Sequence, residues 1–223
     1  MANFSRKIVS EMKIDKQLFK SLTLAIIFIV FYEFSRFIEK PLDQAHIYSA
    51  DFNRTLLSIS NPIMNFVFSM SYYLFHPALI ALAFILLYKR KKELLWKSIK
   101  IYFLIGFLWI SFSLLYPIAP PRFNTNFPQI RLSVFSFGDN IVGLKYGSFP
   151  SFHIFSCFLA SFLALRFFPS FYKSFLLISM YYSIVVLYLG EHYWFDVLAG
   201  FALSIVAFKL MTSESFKFKQ KVK

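Results

Sequence analysis

Apolar residues in this chain gather in long runs separated by short polar stretches. Six runs lie near residues 19–37, 62–88, 101–117, 150–166, 171–189 and 193–210. A bilayer is crossed by roughly 20 consecutive apolar residues in a helix, and these runs approach that length. Only helices and closed barrels satisfy their backbone polar groups in lipid. The pattern therefore predicts an all-α fold, an integral membrane bundle of six transmembrane helices. The first run is the weakest, wholly uncharged only from Ser21 to Tyr32, with Lys20 and Arg36 placed to snorkel from its ends. Its basic lead-in resembles a signal peptide, but Glu33 and Arg36 follow in place of a small-residue cleavage site, so a retained span is expected. Residues 41–61 mix Leu42, Ile47, Phe52, Leu56 and Leu57 with polar positions, and an interfacial helix and a plain connecting loop both fit.

Composition agrees with a membrane protein: 58% hydrophobic residues and 16% charged, against the roughly 25% charge of soluble domains. The net charge of +13 raises nucleic acid as a partner, but the charges cluster between apolar runs rather than along one face. They fit orientation signals and anionic headgroups instead. Eighteen of the 24 Lys and Arg fall in the N-terminal stretch up to Lys20, in 89–100, in 166–173 and from Lys209 onward, all of which share one side if the chain crosses six times. The remaining six are Arg36, Lys40, Arg54, Arg122, Arg131 and Lys145. The positive-inside rule then puts both termini in the cytoplasm of a multi-pass cell-membrane protein. No repeat or linker divides the chain, so a single domain over 1–223 is expected, with its motifs in 117–200. Residues 1–18 and 212–223 are read as basic cytoplasmic tails that meet anionic lipid headgroups. Cys157 is the one cysteine, which excludes an internal disulfide and a cysteine metal cluster.

Three polar segments fall at the outer ends of the predicted spans. They are Tyr116-Pro-Ile-Ala-Pro-Pro-Arg122-Phe, Tyr146-Gly-Ser-Phe-Pro-Ser151-Phe-His153 and Tyr188-Leu-Gly-Glu-His192-Tyr-Trp-Phe-Asp196. His192 and Asp196 share a helix face at a spacing of four, so the carboxylate can fix the imidazole tautomer and leave the other nitrogen to attack. His153 is expected in the first turn of its helix, just after Pro150. Backbone N–H groups at that terminus and the Ser151 hydroxyl suit an anion. Gly147 permits close backbone approach, and the Arg122 fork suits two phosphate oxygens. Glu191 is expected to be a solvated loop carboxylate outside the site. His76, inside the second run, is expected to hydrogen-bond between helices, and His46 to lie at the interface.

Arginine, then Pro-Ser-x-His, then His-x-x-x-Asp resembles the type 2 phosphatidic acid phosphatase superfamily. The second and third segments look closest to its inositol phosphorylceramide synthase-like branch. That resemblance implies catalysis without metal or other cofactor on a lipid phosphate held in the bilayer. His192 would form a phosphohistidine, oriented by Asp196. His153 would protonate the leaving oxygen, while Arg122 and Ser151 bind the equatorial oxygens. Hydrolysis of a polyprenyl diphosphate or phosphatidate-like lipid is the preferred expectation. Transfer to an alcohol and a catalytically inactive lipid-binding protein are the alternatives. The chain departs from the family pattern at Leu115 and Val186, where a lysine and an arginine are usual, and Arg131 and Lys145 are candidate replacements.

Overall fold

The computed structural model describes residues 2–38, 45–123, 127–134 and 145–213. Among these the regular elements are helices: α1 (Ala2–Phe37), α2 (Asp51–Leu57), α3 (Pro62–Arg90), α4 (Lys92–Leu115), α5 (Ile130–Val134), α6 (Phe152–Phe167), α7 (Pro169–Tyr188) and α8 (Trp194–Thr212). Helices α3, α4, α7 and α8 are long and apolar enough to cross a membrane. α6 is equally apolar but has 16 residues, about 24 Å at 1.5 Å per residue. α1 contains the first apolar run within a helix of 36 residues. The chain is thus a helical, multi-pass membrane protein, as its apolar runs predict.

Helix boundaries correct the expected loops. Lys91 alone separates α3 from α4, so Lys92–Lys100 forms the first turns of α4 rather than a basic loop. Phe168 alone separates α6 from α7, which opens on Pro169 at a position where a missing N–H costs nothing. The basic lead-in of 2–18 is continuous with α1, and residues 214–223 of the tail lie outside the described residues. The 41–61 segment divides its two readings: 45–50 is a loop with a bridge at His46, and α2 is a seven-residue helix.

α6 is the central helix, packed on α3, α7 and α8. α4 packs on α3 and α8, and α1 docks on α4. Lipid tails supply little hydrophobic drive between helices, so polar bonds and close small-residue contacts carry much of the packing. The Ser179 hydroxyl donates to the Cys157 carbonyl at 2.9 Å, and Tyr102 Oη lies 3.0 Å from Ser156 Oγ. Tyr182 Oη donates to the Tyr72 carbonyl at 2.9 Å. Gly200 lets α8 lie against the start of α6, where a Cβ would collide with the Ser151 carbonyl. Outward-facing Leu104, Leu108, Leu198 and Val206 are exposed, as a lipid-solvated surface requires.

At the end of the bundle where α4 finishes and α6 and α8 begin, three extended segments join. His46 and Gly147 each form a parallel bridge with Ile118. His46 N–H donates to the Pro117 carbonyl at 2.9 Å, and Ile118 N–H to the Tyr146 carbonyl at 2.8 Å. This small lattice fixes the loops that carry the polar motifs.

Candidate active site

α6 and α8 bring two histidines together through their caps. Ser151 caps α6, its hydroxyl accepting from Ile154 N–H at 3.3 Å, which puts His153 in the first turn. Asp196 Oδ2 accepts from Tyr193 N–H at 2.8 Å at the start of α8, and Ser151 N–H donates to the Asp196 carbonyl at 3.1 Å. The two helix starts are therefore bonded to each other. His153 Nδ1 and His192 Nε2 face one another at 3.2 Å.

Hydrogen bonding assigns the tautomers. His192 Nδ1 lies 2.8 Å from the Ser148 carbonyl, an acceptor only, so Nδ1 carries the proton and Nε2 presents its lone pair. His153 Nδ1–H then donates to that lone pair, and His153 Nε2 accepts from Tyr72 Oη at 3.4 Å. Asp196 Oδ2 stands 3.6 Å from His192 Nδ1, beyond hydrogen-bond range. The tautomer expected from the carboxylate is thus set first by a backbone carbonyl. The buried carboxylate supplies negative charge beside a ring that becomes cationic on attack.

A cavity of about 240 Å³ opens on this pair. Arg122, Lys145, Gly147, Ser148 and Glu191 line its polar part, with His76, His153 and His192. Phe28, Tyr32, Tyr102, Trp109 and Phe152 line the rest. Of the residues expected to bind phosphate, Arg122, Gly147 and Lys145 reach the wall, whereas Ser151 and Arg131 are buried behind it. Ser151 is committed to capping α6. Ser148 takes its place in the wall: among the described residues its buried hydroxyl has no hydrogen-bond partner.

Glu191 overturns its expected solvated role. It is 6% exposed and bridges two buried guanidiniums, accepting from Arg122 Nε at 3.1 Å and Arg131 Nε at 2.6 Å. Arg131 also donates from Nη1 to Tyr73 Oη at 2.7 Å. Burial pushes the Glu191 carboxyl up, but the charges of Arg122 and Arg131 outweigh it and hold the group below its usual 4.5. Arg122 is placed by its backbone as well, its N–H donating to the Gly190 carbonyl at 2.9 Å. Gly190 has φ +68°, and a Cβ there would strike the Phe127 ring.

Asn53 is a second residue that the motifs did not reveal. Its buried amide donates to the Leu187 carbonyl at 2.6 Å and the His192 carbonyl at 3.0 Å, tying α2 to the loop that presents His192. A polar residue within the amphipathic 41–61 segment was the only signal for it. His46 is exposed and stacks on Tyr116 with ring centroids 4.2 Å apart. His76 departs from expectation, because among the described residues its buried Nε2 has no hydrogen-bond partner.

A PAP2 superfamily model matches residues 49–210, which includes all three motifs and α2 to α8. The chain belongs to the PAP2 superfamily. A crystal structure of the first transmembrane PAP2-type phosphatidylglycerolphosphate phosphatase from Bacillus subtilis is similar in fold, with a TM-score of 0.50. That likeness covers 91% of this chain and 99% of the other at 20% identity, so it bears on architecture alone. No curated protein matches the chain. As a PAP2 superfamily member, the protein has its histidine pair, Arg122 and Asp196 within the matched region.

Proposed function

We propose that this protein is a lipid phosphatase that cleaves a phosphate or diphosphate ester through a phosphohistidine on His192. The observation that carries the reading is the facing pair, the His192 Nε2 lone pair turned to His153 Nδ1 at 3.2 Å, in a cavity shared with Arg122. In the first step the Nε2 lone pair attacks phosphorus and the bond to the lipid oxygen breaks. In-line attack needs the leaving oxygen opposite Nε2, so the entering phosphoryl group replaces the hydrogen bond between the two rings. A proton from the entering phosphate passes to His153 Nε2, where Tyr72 Oη then accepts it, and His153 gives its Nδ1 proton to the leaving oxygen. Arg122 and Ser148 meet the equatorial oxygens, where charge stabilisation is the chief demand of phosphoryl transfer. Asp196 balances the cationic phosphohistidine. Water then attacks phosphorus, its proton passes to His153 Nδ1, and His192 is released.

The guanidinium and the histidines supply the charge and the nucleophile, so no metal is assigned to the reaction. The charge distribution along the sequence supports both termini in the cytoplasm, the site at the extracytoplasmic face and a single functional domain. An aromatic wall beside the phosphate end suits a hydrocarbon chain. The resemblance of the second and third motifs to the inositol phosphorylceramide synthase-like branch favours a second reading, transfer to an alcohol. Phosphate release from a panel of lipid phosphates and diphosphates, in detergent with excess chelator and with or without inositol or glycerol, tests both. Release that persists with chelator and is abolished in His192→Ala is the expected result. A phosphorylated alcohol in place of free phosphate supports transfer, and strict dependence on added Mg²⁺ overturns the mechanism.

A further inference from the structure

His76 has no part in the steps above, yet it lines the same cavity as His153 and His192. Its ring packs edge-on against His153, with centroids 4.8 Å apart and planes at 70°. Among the described residues its buried Nε2 has no hydrogen-bond partner, although Tyr72, one turn earlier, is bonded to His153. An ionisable side chain within a membrane span is costly, and an unpaired buried nitrogen adds to that cost. Packing alone is served more cheaply by Leu or Phe at this position.

We infer that His76 holds the hydrolytic water of the second step, an inference that rests on the phosphohistidine reading. In-line displacement brings the second nucleophile to the place that the leaving oxygen vacates, which is the place served by His153. His76 packs on His153 and lines the same cavity wall. Water has two protons. One passes to His153 Nδ1 as the oxygen lone pair forms the new bond to phosphorus and the P–Nε2 electron pair returns to His192. The other donates to His76 Nε2 and fixes the oxygen's direction. An alcohol has one such proton, which His153 takes, so a bare imidazole nitrogen at His76 selects water over an alcohol.

The test separates the two half-reactions by rapid quench of the full-length enzyme in detergent with a ³²P-labelled lipid phosphate. In His76→Ala, phosphohistidine is expected to form at the wild-type rate and to break down about tenfold more slowly, the loss of one hydrogen bond to the nucleophile. His76→Gln, whose amide oxygen accepts a hydrogen bond, is expected to recover most of the breakdown rate. Unchanged breakdown in His76→Ala overturns the inference and leaves the phosphohistidine standing. Equal loss of formation and breakdown in both variants shows a packing role and also overturns it. If wild-type enzyme turns over with no phosphohistidine, the functional reading fails and this inference falls with it.

Discussion

Replacing Glu191 with alanine removes the carboxylate that bridges two guanidiniums whose side chains are 6% and 1% exposed. Two charge-assisted hydrogen bonds are lost, each worth about 1.5–3 kcal/mol. Removing one partner from a buried ion pair costs about 3–5 kcal/mol, because the remaining charges stay in a poorly solvating site. For a chain of this size that corresponds to a fall in Tm of roughly 10 °C. The catalytic consequence is separate. Arg122 Nε loses its anchor, and a displacement near 1 Å of a phosphate-binding group costs about 100-fold in rate. Glu191→Gln keeps an acceptor oxygen without the charge, so it is expected to fall between wild type and alanine in both measurements. Thermal unfolding in detergent and kcat for phosphate release, measured on the same preparations, check this. Wild-type Tm and kcat in Glu191→Ala would show that the backbone alone places Arg122, and the positioning role of Glu191 would be withdrawn.

Gly200→Ala is expected to lower both Tm and kcat, because its Cβ meets the Ser151 carbonyl and forces α8 off the start of α6. Unaltered activity there would show that the cap-to-cap bond does not align the histidines. Stability is also expected to depend on pH through Glu191. Its carboxyl is held below 4.5 in the folded protein, so the stabilisation is complete above the unfolded carboxylate value and is lost as pH falls through the folded value. Unfolding of wild type and Glu191→Gln from pH 7 to pH 3 should converge at the acid end, and parallel curves would contradict the assignment.

Hydropathy located the apolar runs but not the helix ends. Lys92–Lys100 shows why: its charges leave the bilayer, yet nothing there breaks a helix, so α4 simply continues out of the apolar zone. The His153–His192 juxtaposition was legible because motif order and helix-start chemistry both place these residues at one end of the bundle. Glu191 was not, because a carboxylate beside a histidine reads as surface until Arg131, 60 residues earlier, is known to fold over it. A carboxylate inside a motif, with Arg122 and Arg131 on the same predicted face, was the available signal. The Ser148 carbonyl that sets the His192 tautomer is backbone, so side-chain identity could not reveal it. Ser151 lies behind the wall because its place at the start of α6 turns its hydroxyl oxygen back to cap that helix, accepting from Ile154 N–H.

The central claim is that phosphorus passes through His192 Nε2. Enzyme quenched during turnover of a ³²P-labelled lipid phosphate should carry acid-labile, base-stable label, mapped by mass spectrometry to His192 and absent from His192→Ala, which should also release no phosphate. Label on another residue, or normal phosphate release by His192→Ala, would contradict it.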